Sequence, residues 1–482
     1  MTSPSFFWYD YETFGTDPRC DRICQFAGIR TDFDFNIIDQ PVNLYCKASN
    51  DVLPDPEACL ITGITPQLTV EVGLVEAQFM ACIEKQFSRP ETCVAGFNSI
   101  RFDDEFTRYG LYRNFFDPYA REWTNGCSRW DIIDLVRMAR ALRPDGIQWP
   151  LDDNGVASNR LELITRANNI SHETAHDALT DVYATIAVAK LIKHKQPKLY
   201  DFVLKNKQKQ NISNMLNLYQ PKPVLHTSGM YPSTRCNTSV VYPLAQHPTN
   251  KNGIIAFDLR FSPKDLADLS AQQIIQRLYT PTDALPEGVG RIPLKTIHIN
   301  KCPVLAPLNT LDDAAAKRID IHRADVSKHL DALTAIIDLP EKLKTVYNHN
   351  PFTDETDPDK SLYSGGFFSS QDRQSMNHLR ELDAQGLAKI NDHFQDERIM
   401  EMLFRYRARN YPDSLTPQEK KAWDRYRQEK FTAQGTPTTV NIQSFNRIIA
   451  QHRESDNITE EKNRILNALE QWRDFITTGL EC

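Results

Sequence analysis

The chain has 482 residues, 40% hydrophobic and 25% charged, the composition of an ordinary globular protein and a length sufficient for about three domains. No run approaches the roughly 18 uninterrupted apolar residues of a membrane span, and the aromatic N-terminus lacks the basic start and cleavage site expected of a secretory signal. A net charge of −7 excludes a uniformly basic nucleic-acid binder, and ten cysteines without a Cys-x2-Cys pair point to free buried thiols in a reducing cytoplasm rather than to disulfides or zinc.

Ser5-Phe-Phe-Trp-Tyr-Asp-Tyr-Glu-Thr-Phe-Gly15 reads as a buried strand ending in two carboxylates. Side chains alternate along a strand, so Asp10 and Glu12 share one face and Tyr9 and Tyr11 the other. Two half-buried carboxylates side by side repel, and a shared proton or a divalent cation relieves this. The alternative is a strand end at Asp10 and a solvated Glu12 before the turn at Gly15. Thr92 to Phe97 reads as a second buried strand, followed by Asp103 at a strand-to-helix junction, where ligands of open α/β sheets gather. Asp103 alone equally fits a first-turn acid answering the helix dipole.

From Arg108 to Arg143, cations alternate with aromatics in the manner of a single-strand grip built on phosphate contacts and base stacking. Eight acids share residues 101 to 145, so part of this stretch is equally expected to be helix core with salt-bridged faces. Next, Ala184, Ala187, Val188 and Leu191 keep helical spacing, placing Asp181 about one turn inside a helix and His176 at or before its start. Singly, these would be a surface acid and a capping histidine. Lys190 to Lys222 holds eight lysines against one acid, Asp201, and reads as a phosphate-tracking stretch or as a solvated face with a proline-marked boundary.

Residues 197 to 350 mix short β-rich runs (Thr238 to Tyr242, Gly253 to Leu259, Leu294 to Asn300) with two long helical patterns, Lys264 to Leu278 and Asp312 to Leu339. Pro351 to Gly366 reads as a linker. Helices are expected over Glu397 to Asn410, Pro417 to Phe431, Ile442 to Glu454 and Thr459 to Thr477. Within them Arg405, Arg407, Arg409, Lys420, Lys421, Arg425 and Arg427 form a basic set that would line a nucleic-acid passage or solubilise a face.

The order Asp-x-Glu, Asp, His-x4-Asp resembles the DEDDh branch of the DnaQ-like 3′ to 5′ exonucleases. Further segments resemble the bacterial exonuclease I family: Asp10-Tyr-Glu-Thr-Phe-Gly15, Leu60-Ile-Thr-Gly-Ile-Thr-Pro66, Arg101-Phe-Asp-Asp-Glu105, Ala175-His-Asp-Ala178 and His298-Ile-Asn-Lys-Cys-Pro303. Ser99 departs from the Asn common in the wider superfamily and touches no expected ligand. The resemblance implies an α/β ribonuclease H-like nuclease domain with a mixed five-stranded sheet at residues 1–196. An SH3-like α+β domain at 197–350 and an all-α C-terminal domain at 351–482 would follow.

It further implies processive 3′ to 5′ degradation of single-stranded DNA to 5′-mononucleotides, in repair and recombination, by two-ion hydrolysis with Mg²⁺, for which Mn²⁺ substitutes. Asp10 would bridge both ions, Glu12 and Asp181 complete the inner site, Asp103 hold the second ion directly or through water, and His176 act as general base near neutral pH. Arg108, Tyr119, Trp123, Arg137 and Arg160 match positions expected to contact the strand or its 3′ end. The expected partners are single-stranded DNA and the C-terminal tail of the single-stranded-DNA-binding protein, with the chain a cytoplasmic monomer. Two alternatives stay open from the residues alone: a 3′ to 5′ exoribonuclease with the same ion chemistry, and a nonenzymatic single-strand binder. Against the latter, all four acids are present.

Overall fold

A computed structural model describes residues 3–172, 177–349, 355–390, 393–433, 440–454 and 458–481. It divides into two compact units, one of residues 1–129, 173–185 and 354–482 and the other of 130–172 and 186–353. Among the described residues no helix is long and apolar enough to cross a membrane, and the nine described cysteines form no disulfide.

The first sheet comprises β1 (Ser5–Thr13), β2 (Ile23–Thr31), β3 (Val42–Tyr45), β4 (Thr92–Gly96) and β5 (Ser128–Asp131), in the order β3-β2-β1-β4-β5. β1 pairs antiparallel with β2 and parallel with β4, so the sheet is mixed as expected. All nine residues of β2 are buried, as in a strand covered on both faces, and its Arg30 is accommodated there by hydrogen bonds to the Ser5 and Thr92 hydroxyls. The Phe7, Tyr9 and Tyr11 face packs against Phe79, Ile83 and Phe87 of the helix Glu76–Phe87 and against Phe106 and Leu111 of the helix Asp103–Arg113. That leaves the Asp10 and Glu12 face for chemistry.

In the same unit the C-terminal helices share a core with the N-terminal segment. Phe14, Cys24, Val52 and Leu53 cluster with Phe431, Phe445, Leu466, Leu469 and Trp472. The expected helices appear as Arg398–Asn410, Pro417–Thr432, Ile442–Arg453 and Glu460–Thr477. The linker expectation is corrected over its described part: Pro358–Lys360 forms a helical turn, and Asp359 is buried against Arg405 and Arg409. Arginines of the supposed basic passage are likewise interior. Arg405 pairs with Asp357 and Glu401, Arg407 with Glu419, and Arg409 with Asp51 and Asp359. A buried guanidinium must be paired, and here carboxylates distant in sequence supply the partners.

The second unit contains an antiparallel sheet of β6 (Val224–Thr227), β7 (Thr238–Gln246), β8 (Gly253–Asp258), β9 (Leu294–His298) and β10 (Val304–Pro307), ordered β10-β6-β7-β8-β9. Helices accompany it, giving the α+β character expected. The long helical patterns are each broken. Lys264–Asp268 and Ala271–Tyr279 are separated where Ser270 starts the second helix with a capping box to Gln273. Asp313–Arg318, Arg323–Thr334 and Leu339–Asn348 replace the second pattern.

Candidate active site

β1 delivers Asp10 and Glu12 to the same face by the two-residue alternation, opposite Ala27 and Gln25 of β2, and a register shift between Glu12 and Thr13 then ends the regular ladder. Asp181 arrives on the first turn of the helix Ala178–Lys195. One carboxylate oxygen from each of Asp10, Glu12 and Asp181 lies within 4.8 Å of the others. These are three of the four acids expected together, Asp103 standing outside this group, and strand-end solvation does not describe Glu12, which is buried.

Asp103 is the first residue of the helix Asp103–Arg113 and is also buried. Its delivery depends on a tight turn after β4. A Cβ on Gly96 would meet Ser99 Cβ at 2.7 Å and the Tyr9 carbonyl oxygen at 3.1 Å, and Asn98 adopts φ +62°, where Asn is tolerated. Asp103 is the largest of the charges acting on Asp10, ahead of Asp181 and Asp177.

Burial first, then these carboxylates, holds the Asp10 carboxyl well above its ordinary range. The same causes, with Asp10 leading the charges, push Glu12 up to about 9. An all-oxygen donor set of carboxylates fits a hard divalent cation.

Sequence reasoning passed over Asp177. Its Oδ1 accepts hydrogen bonds from the Thr180 backbone (3.0 Å) and hydroxyl (3.1 Å), and its Oδ2 accepts one from Gln25 Nε2 at 3.4 Å. It thereby caps the helix that carries Asp181. An Asp just before an apolar-periodic run is an N-cap signal, and that spacing was present to be read. His176 lies outside the described residues.

Of the expected strand contacts, Trp123 is 70% exposed and Tyr119 half-buried, both in the first unit. Arg108 is buried instead. It forks onto Glu122 (Nε to Oε1 2.8 Å, Nη2 to Oε2 3.1 Å), donates to Glu105 (2.9 Å) and lies 5.4 Å from the Tyr119 ring centre. In the second unit Arg137 pairs with Asp134 at 2.7 Å, and Arg160 is exposed at the start of the helix Leu161–Ala167.

Three family profiles match: "Exonuclease" over residues 7–189, "Exonuclease I SH3-like domain" over 207–349 and "Exonuclease I C-terminal domain" over 356–476. Exodeoxyribonuclease I of Haemophilus influenzae is 48% identical over 455 residues, 94% of this chain and 95% of that protein. Escherichia coli exonuclease I solved with a dA16 oligonucleotide is similar at TM-score 0.92 and 43% identity, covering 98% of this chain and 100% of that one. A solved ExoI/SSB-Ct complex is similar at TM-score 0.90 and 42% identity, with the same coverage.

Proposed function

The chain belongs to the exonuclease I family, and from that premise we propose that it removes 5′-mononucleotides processively from the 3′ end of single-stranded DNA. The observation that carries this is the convergence within 4.8 Å of Asp10 and Glu12 from β1 and Asp181 from the helix Ala178–Lys195. Mg²⁺ is the proposed ion, with Mn²⁺ a substitute, and two such ions held there would supply charge neutralisation on the phosphate, an acidified water and a stabilised leaving oxygen. Asp10, Glu12 and Asp181 bind the ions, Asp103 completes the set, and His176 takes the proton of the attacking water. Tyr119 and Trp123 offer faces on which bases stack without sequence preference. Arg108 keeps Tyr119 in place and reaches phosphate only by exchanging a carboxylate partner. Arg137 and Arg160 are proposed strand contacts on the resemblance alone.

The proposed domain division is 1–196, 197–350 and 351–482, with the protein acting as a cytoplasmic monomer in repair and recombination. The tail of the single-stranded-DNA-binding protein is its proposed partner, in keeping with the SSB-Ct complex of a similar structure.

Single-stranded DNA labelled at its 3′ or 5′ end, duplex DNA and RNA, each with Mg²⁺ or EDTA, test the reading. Rapid loss of the 3′ label from single-stranded DNA with Mg²⁺ alone is expected. Cutting from the 5′ end, or activity in EDTA, overturns it. His176→Ala should keep metal and DNA binding yet lose about 100- to 10,000-fold in turnover, and a native rate removes His176 from its role.

A further inference from the structure

The helix that begins with Asp103 starts without the usual local anchor. Its N-cap residue is Phe102, at φ −125° and ψ −75°, and no side chain caps the first turn. The Glu105 and Phe106 N–H groups bond to the Phe102 carbonyl at 3.0 and 3.1 Å, and Asp103 lies among like charges. Contacts made by the two residues Asp104 and Thr107 hold its backbone in place.

Two sets of contacts do so, and a tyrosine from the back face of β1 takes part in each. The Asp104 carboxylate is almost fully buried. Its Oδ1 accepts from Tyr9 Oη at 3.0 Å and Arg121 Nη2 at 2.7 Å, and its Oδ2 from Arg129 Nη1 at 2.6 Å. One turn on, Thr107 Oγ1 donates to the Asp103 carbonyl at 2.8 Å and is 2.9 Å from Tyr11 Oη. Since the Thr107 proton is committed to that carbonyl, Tyr11 is the donor to Thr107.

Tyr9 and Tyr11 alternate with Asp10 and Glu12 on the same strand. We propose that Asp104 and Thr107, gripped by Tyr9 and Tyr11, are positioning residues that hold Asp103 at a fixed distance from Asp10, so that the metal site is set before any ion binds. This rests on the reading of Asp103 as a metal ligand. Each tyrosine hydroxyl ties the helix to a strand position one residue from an acid, so strand and helix cannot slide without breaking a buried bond. Charge-assisted hydrogen bonds from two arginines make the Asp104 grip the stiffer of the two.

Mn²⁺ binding to the full, EDTA-stripped chain, measured by calorimetry without DNA, tests this alongside the Mg²⁺ dependence of DNA cleavage. Thr107→Val keeps shape and loses the hydroxyl, and Thr107→Ser restores it. Thr107→Val and the double variant Tyr9→Phe, Tyr11→Phe should each weaken Mn²⁺ binding about tenfold, equivalent to about 1.4 kcal/mol. The half-saturating Mg²⁺ should rise in step, the KM for DNA should stay within about twofold, and Thr107→Ser should bind as the native chain does. Tyr9→Phe alone removes one oxygen and leaves both arginines on Asp104, so it provides a folded reading if the double variant is unstable. Native Mn²⁺ affinity in Thr107→Val and Tyr9→Phe overturns the proposal. Asp103→Asn separates the two readings: if it binds Mn²⁺ like the native chain, Asp103 is no ligand and the premise falls. If it binds weakly while the hydroxyl variants do not, only the positioning role falls.

Discussion

Asp10, proposed as a metal ligand, sits where burial and its neighbours' charges work against the fold. It lies beside Glu12, Asp103 and Asp181, and burial and these charges together disfavour its ionised form. Removing one charge from such a cluster should stabilise the fold while destroying the site, as expected where strain is kept for function. Asp10→Asn should therefore raise the thermal midpoint in EDTA by about 1 °C for each kcal/mol of repulsion relieved. Mg²⁺ should stabilise the native chain and not the variant, whose cleavage rate should fall by more than about 100-fold. Calorimetric scans with and without Mg²⁺ check this, and an unchanged or lower midpoint in EDTA contradicts it. The pair itself was legible in the sequence because strand alternation has a period of two, so Asp-x-Glu puts both acids on one face wherever the strand goes. Arg121 and Arg129 were not legible as partners of Asp104. Their role arises from tertiary proximity across 17 and 25 residues, and spacing carries no signal for that.

At the scale of elements, the helices of the C-terminal region were read nearly to their ends because their apolar positions recur at three- and four-residue spacing. The charged face of Arg398–Asn410 was misread. A row of arginines looks the same in sequence whether it faces phosphate or buried acid, and only the fold brings Asp51 and Asp359 to Arg409 at 3.1 and 2.6 Å. Lys430, Arg22, Glu76 and Arg113 extend this buried network. Burial alone would raise the carboxyl of Asp51, but Arg409, Lys430 and Arg22 more than reverse this, and Asp359 is held low by Arg409 and Arg405 against its own burial. Both acids bind protons less readily folded than unfolded. Their stabilisation is therefore complete above the unfolded carboxyl range near pH ~4 and is lost as pH falls below it. Asp359→Asn leaves two guanidinium groups short of a partner and should cost about 3 to 5 kcal/mol at pH 7. Denaturant unfolding at pH 7 and at pH 3 checks this, with the gap between native and variant narrowing at the lower pH. An equal gap at both contradicts the assignment.

On the scale of the whole chain, the first unit is discontinuous: it combines residues 1–129 and 173–185 with 354–482. The sequence suggested a nuclease followed by accessory domains, a picture drawn from motif order along the chain. Packing within the unit argues that the C-terminal region is structural as well. Trp472 is buried and donates from Nε1 to the Val52 carbonyl at 2.9 Å, and Trp423 donates to Asn50 Oδ1 at 2.9 Å. Leu466 and Leu469 pack in the cluster that holds Phe14, which directly follows the β1 segment bearing Glu12. A chain ended at residue 353 would expose that apolar surface and strip Asp51 of Arg409 and Lys430, leaving a buried charge with Arg22 at 3.8 Å as its nearest remaining cation. Such a truncation should lose its cooperative unfolding transition and its Mn²⁺ binding together, rather than retain a slower, less processive nuclease. A milder probe, Leu469→Ala, should destabilise the full chain by about 2 to 5 kcal/mol and leave the Mg²⁺ dependence of cleavage unchanged at temperatures where it stays folded. A truncated chain that binds Mn²⁺ and unfolds cooperatively would show instead that the nuclease sheet stands without the C-terminal helices.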